Sequence, residues 1–133
     1  MGQPAAKDGD QVVGTDTHIV LVPSGPALVP TPLPHPFTGR LSGGLAASVL
    51  VEGKAVAVVG STADHTSGHV PTPPGTSFQR PPANRGAVRS GSATVLVEGK
   101  GLARAGDPVA TCNDPADAPV SSIVAAGTVL VGG

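Results

Sequence analysis

The hexapeptide Val-Leu-Val-Glu-Gly-Lys occurs twice in the chain, at Val49–Lys54 and at Val95–Lys100. The likeness runs further: ASVLVEGKAVAVVG (Ala47–Gly60) and ATVLVEGKGLARAG (Ala93–Gly106) agree at nine of fourteen positions. A third, partial copy stands near the end, where Gly127-Thr128-Val129-Leu130-Val131 resembles Ala93-Thr94-Val95-Leu96-Val97. Units this short cannot bury an apolar face alone and must bury it against one another. Three of them around an axis would make a small closed or conical structure.

The unit itself reads as strand, tight turn, strand. His18–Val22, Ser48–Val51, Ala55–Val59, Thr94–Val97, Ser122–Ala126 and Thr128–Val131 are short, β-branched runs bounded by Gly, Pro, Asp or Ser, which is how buried or half-buried strands look. Glu52-Gly53-Lys54 and Glu98-Gly99-Lys100 place Gly between such runs, where its tolerance of positive φ suits a hairpin. Helices find no room, because Pro or Gly interrupts nearly every window of helical length. With 19 Gly, 15 Pro, two Phe and neither Trp nor Tyr, the interior must be narrow and filled with Val, Leu and Ala. The expectation is an all-β single domain over residues 1–133, with residues 1–7 a flexible leader.

Two long segments have another character. Pro23–Arg40 and Val70–Gly91 are rich in Pro, which fixes φ and removes a donor, so both are expected as extended or polyproline-like coil. Phe37 and Phe78 sit inside them and would anchor that coil to the body. Loops of this length in a small domain are often functional.

Charge narrows the partners. A formal net charge of −1 and the near absence of aromatic residues provide neither a basic stripe for phosphates nor stacking platforms for bases, so nucleic acid is not expected as a partner. No apolar run reaches membrane-spanning length, and the opening MGQPAAKDGDQ lacks the layout of a signal peptide. Synthesis in the cytoplasm is expected. Cys112 is the sole cysteine, which leaves a thiol with no internal disulfide partner.

Chemistry is concentrated in His18, His35, His65, His69 and Cys112. Imidazole and thiolate are preferred zinc ligands, and closed structural sites take four of them. The spacing matches neither a zinc finger nor an HExxH helix, so surface histidines and a buried inert cysteine remain the plain alternative. A catalytic metal would need an open position and a nearby carboxylate base; Asp16 and Asp64 are the ones close in sequence to histidines, and both precede turn-like residues.

Gly91–Cys112, GSATVLVEGKGLARAGDPVATC, resembles the motif of the PAAR-repeat proteins of contractile injection systems. The name-giving Pro-Ala-Ala-Arg appears as Gly101-Leu102-Ala103-Arg104 and as Ala55-Val56-Ala57-Val58, so both copies depart from it. The surrounding frame is better kept: a small residue, Thr or Ser, Val-Leu-Val, Gly-Lys, then Gly-Asp-Pro and a Cys. Gly14–Val20 and Pro30–Gly39 also look like the start of longer members, so the resemblance spans about Asp8 to Gly133.

The resemblance implies a small pseudo-threefold cone of hairpins and loops that caps the trimeric β-helical spike, of valine-glycine-repeat type, in a type VI-like or extracellular injection apparatus. Such a cap is a structural protein rather than an enzyme. It sharpens the spike for membrane puncture, touches the target membrane transiently, can carry effector cargo and is delivered outward. It also implies one structural ion, Zn2+ before iron, held near the point by His18, His35, His69 and Cys112, with His65 the alternative to His69. Beside this stand a metal-free β interaction module and a zinc hydrolase.

Overall fold

The computed structural model describes residues 2–132. Met1 and Gly133, the outermost residues of the expected leader and of the last unit, lie outside them. The described residues form thirteen strands and no helix. In chain order these are β1 (Gln3–Pro4), β2 (Gln11–Ser24), β3 (Ala27–Gly43), β4 (Ala46–Val51), β5 (Lys54–Val56), β6 (Thr62–His65) and β7 (Ser77–Phe78). The remainder are β8 (Arg85–Val88), β9 (Leu96–Val97), β10 (Lys100–Gly101), β11 (Pro108–Thr111), β12 (Ala118–Val124) and β13 (Leu130–Val131).

The repeated units fold alike. β4 returns as β5 and β9 as β10, each through a Glu-Gly turn in which both residues have positive φ: +54° and +79° at Glu52-Gly53, +53° and +78° at Glu98-Gly99. That is a type I′ turn, whose twist matches that of the flanking strands. The third unit closes with the other end of the chain. β13 pairs with β1, Val131 opposite Gln3 and Leu130 opposite Pro4. The segment expected as a flexible leader is therefore the missing second strand, and Ala5, Ala6 and Lys7 are all buried.

The three second strands meet at an axis. Isolated bridges join Lys7 to Val56, Val58 to Leu102 and Arg104 to Ala5. Within that ring the N–H of Ala57 donates to Ala6 O, that of Ala103 to Ala57 O and that of Ala6 to Ala103 O, each at 2.9 Å. All three alanines are fully buried. Only methyl-sized side chains fit where three copies face one another. The turn that follows is also repeated: Lys7 N–H donates to Asp10 Oδ2, Val58 N–H to Ser61 Oγ and Arg104 N–H to Asp107 Oδ2, at 3.0, 2.9 and 2.8 Å.

The ring separates two apolar clusters. One holds Val51, Val56, Val97, Leu102 and Val131 from the repeated units. The other contains the ring alanines themselves with Val12, Phe37, Leu41, Val88, Val109 and Ile123. This second cluster fills a sheet of order β12-β11-β8-β6-β3-β2-β7, which closes on itself because β12 also pairs with β2. Closure leaves no free edge around this part of the body.

β2 and β3 form one hairpin, in continuous register from Gln11 opposite Arg40 to Ser24 opposite Ala27. This overturns the expectation of coil for Pro23–Arg40. The prolines fall at Pro30, Pro32, Pro34 and Pro36, every second residue, on the side of β3 that faces away from β2. The outward carbonyls of Pro34 and Pro36 accept from Thr72 Oγ1 and His65 Nε2, and that of Thr38 from Thr66 N–H. A missing N–H on an outer edge breaks no ladder bond. The alternate residues His35, Phe37 and Leu41 turn inward and are buried. Val70–Gly91 is mostly irregular, but Phe78 in β7 pairs with Val20, and β8 joins the closed sheet.

Candidate metal centre

β2 brings Asp16 and His18 to one face, because residues two apart in a strand point the same way. β11 ends beside them and places Cys112 immediately after its last residue, while His69 arrives from the irregular segment after β6. One donor atom each from Asp16, His18, His69 and Cys112 lies within 4.8 Å of every other. The group is almost sealed: the side chains of Asp16, His18 and His69 are 0%, 1% and 2% exposed.

Each member is oriented by its neighbours. Asp16 Oδ1 accepts from the Thr111 hydroxyl and from Asn113 Nδ2, the latter at 3.1 Å, which leaves Oδ2 toward the cluster. His69 Nε2 donates to Asp16 Oδ2 at 2.8 Å, and Cys112 Sγ stands 3.6 Å from the same oxygen. Asn113 is itself fixed by accepting the Thr17 N–H. His18 differs from all of these. Among the described residues neither of its ring nitrogens has a hydrogen-bond partner, and Asp114 stands 3.4 Å from Nδ1 without the alignment of a hydrogen bond. Asp114 is held in turn by the Ile19 N–H and Arg80.

The electrostatics suit a ligand set. Burial pushes the Cys112 thiol up, but the imidazoles of His18 and His69 and the Arg85 N–H outweigh it and bring it down to about 7. Burial opposes protonation of His69, yet Asp16 and the Cys112 sulfur raise it to about 9. A thiolate beside an imidazolium is the arrangement that a divalent cation can replace, with release of the imidazolium proton. A cleft of about 250 Å³ lined by His18, Cys112 and Asp114 gives a route in from solvent.

His35 and His65 stand next to this group. The His35 ring centroid lies 5.5 Å from that of His18 and 5.7 Å from that of His69. Its Nδ1 donates to Leu33 O at 2.8 Å and its Nε2 accepts the Thr72 N–H at 3.1 Å, so both nitrogens are engaged with backbone. His65 turns Nε2 to Pro36 O and packs edge-on against His69. Burial, followed for His35 by the nearby His18 and His69, and for His65 by His69, holds both below the ordinary imidazole value.

Sequence reasoning weighed Asp16 only as a catalytic base; the Asp-Thr-His spacing inside a strand was the available sign that Asp16 and His18 share a face. Nothing in the sequence pointed to Thr111, Asn113 or Asp114, whose roles depend on how β11 meets β2. No family model matches the chain, and no curated protein matches it.

Proposed function

We propose that the protein is a metal-stapled cap for a trimeric β-helical spike, of the kind its resemblance to PAAR-repeat proteins implies, and has no catalytic role. The observation that carries this reading is the threefold end. Leu50, Leu96 and Leu130 occupy equivalent places in the three units and are 60%, 59% and 61% exposed. Val49, Val95 and Val129 beside them are also exposed, while Val51, Val97 and Val131 point inward. A single chain that displays one apolar triplet three times fits the end of a trimer, whose three chains each offer the same surface. Further support comes from Pro4-Ala5-Ala6-Lys7, the segment that completes the third unit. It differs from the family's Pro-Ala-Ala-Arg by one Lys for Arg, where both internal repeats have drifted further.

The residues also suit the implied ion. A soft thiolate, two imidazoles and a carboxylate are ligands for zinc, with iron the lesser alternative. Buried His18 with no partner for either nitrogen is the observation that fits a metal best. When bound, the ion supplies a cross-link between β2, the end of β11 and the His69 segment. Asp16 is the fourth donor in this arrangement; His35 could take its place by giving up the Thr72 N–H. With four protein donors, no position is left for a reacting water, which speaks against the hydrolase alternative. We further propose synthesis in the cytoplasm and outward delivery on the spike, with effectors as possible cargo.

The test is stoichiometry. Mixed with the β-helical trimer of a valine-glycine-repeat spike protein from the same producer, the chain should form a complex of one copy per trimer in analytical ultracentrifugation. Leu50→Asp, Leu96→Asp and Leu130→Asp together should abolish the complex while leaving the circular dichroism spectrum unchanged. If the wild-type chain binds no such trimer, the capping role is wrong.

A further inference from the structure

We propose that the far end of the β2–β3 hairpin, Val22–Val29, is a lipid-inserting wedge whose partner is the boundary between headgroups and acyl chains of a bilayer. The inference rests on the cap reading for its setting, since a cap driven outward meets a membrane with the end opposite its partner.

Charge is the first argument. Asp, Glu, Lys and Arg make up 13% of the chain, yet none occurs from Thr17 to Gly39. Within Val22–Val29 only Ser24 carries a polar side chain. The hairpin's last cover is at Leu21, whose carbonyl accepts the Thr76 N–H and which pairs with Ser77, while Gly75 packs on Val20. Beyond that point Pro23 through Pro30 are all exposed, Leu28 at 55% and Val29 at 44%. An uncharged apolar projection has little to gain from water.

The backbone is the second. Val22 pairs with Val29, Pro23 with Leu28 and Ser24 with Ala27, and the chain turns through Gly25, at φ +58°, and Pro26. Ile19 and Leu21 turn their carbonyls outward from β2 to Gln79 and Thr76, so the next outward residue on that edge is Pro23. On β3 the outward residue opposite Pro23 is Leu28, which keeps its N–H, and the next one toward the body is Pro30. Proline at 23 and 26 removes the donors from the β2 edge and the turn, so Leu28 offers the one outward strand N–H of the projecting part. An edge so poor in N–H groups is a bad template for a further strand, which argues against a second copy as the occupant. The same loss lowers the cost of leaving water, because fewer polar groups go unsatisfied.

Reach is the third. Three residues beyond the cover extend about 10 Å at ~3.3 Å per residue. That is the depth, about 5–10 Å, to which interfacial elements enter a bilayer. The geometry suits shallow insertion and excludes a span.

The chain has no Trp, so Leu28→Trp installs a single reporter at an exposed site. Its emission is expected to shift to the blue on addition of phosphatidylethanolamine–phosphatidylglycerol vesicles and to be quenched when the acyl chains are brominated. Leu50→Trp, at the other end, should do neither, and Val29→Asp in the Leu28→Trp background should lose the response. No shift at position 28, or an equal shift at position 50, overturns the wedge. Circular dichroism and metal content measured on the same samples separate the two ideas: a folded, metal-loaded chain that ignores vesicles defeats the lipid contact and leaves the capping of a trimer standing.

Discussion

His18 shows most directly how the site is built. An imidazole that is 1% exposed with no partner on either nitrogen carries a penalty of about 1–3 kcal/mol per unsatisfied group. Replacing it by an apolar side chain removes that cost along with the ligand. His18→Leu is expected to abolish metal binding and to leave the metal-free protein as stable as the wild type or more so in urea; a mutant that keeps stoichiometric metal would exclude His18. The fourth donor is tested by cobalt substitution. Asp16→Asn should alter the visible spectrum of the cobalt-loaded protein, while His35→Asn should leave it close to wild type; the reverse pattern would assign the place to His35. Acidity adds a further check. In the metal-free protein His69 is raised to about 9, so its contribution is full below about 6.5 and lost as pH rises through 9. Cys112 is lowered to about 7 from an ordinary value of 9.0, so its contribution is full above 9 and lost as pH falls through 7. The stability difference between metal-free wild type and Cys112→Ser should therefore be largest between about pH 7 and 9, and a flat profile would deny the pair.

Among the elements, the two Glu-Gly hairpins were legible because their strands and turn are contiguous and obey local rules. Glu at a φ of +54° is still strained, since L-residues there cost roughly 1–2 kcal/mol. Glu52→Asn should raise the melting temperature by a few degrees, Asn being at home in a type I′ turn; an unchanged or lower value would mean that the Glu52 side chain, which lies against Gly127, holds the units together. The β2–β3 hairpin was misread for a physical reason. Proline counts against a strand only where its N–H is needed, and edge direction is a tertiary fact that Pro30, Pro32, Pro34 and Pro36 do not announce singly. The N-terminal strand was missed because its partner lies at the other end of the chain and because Pro4-Ala5-Ala6-Lys7 is too short to show periodicity. Its weight is testable: a chain lacking residues 2–7 loses Ala6 from the axial ring and should be unfolded by circular dichroism. Ala103→Val overfills the same ring and should cost about 1–3 kcal/mol.

For the whole molecule, one order runs along the axis: exposed leucines, ring of alanines, closed sheet, His/Cys cluster, projecting hairpin. The threefold part could be inferred from the repeats; of the residues singled out by type and resemblance, His18, His69 and Cys112 come together with Asp16, while His35 stands beside them. The length of the projection beyond the site could not be inferred, since β2 continues from His18 to Ser24 and only the pairing with β3 reveals it. The cluster lies partway along β2, before its projecting end, and an ion there would tie three segments remote in sequence. Structural zinc can contribute about 10 kcal/mol or more of apparent binding energy, comparable to the stability of an entire domain. The most direct test is therefore elemental mass spectrometry on protein purified without an affinity tag or added metal, wild type beside Cys112→Ala. One metal ion per wild-type chain, lost together with thermal stability in the mutant, is the expected result; a folded wild-type protein without metal would contradict the account.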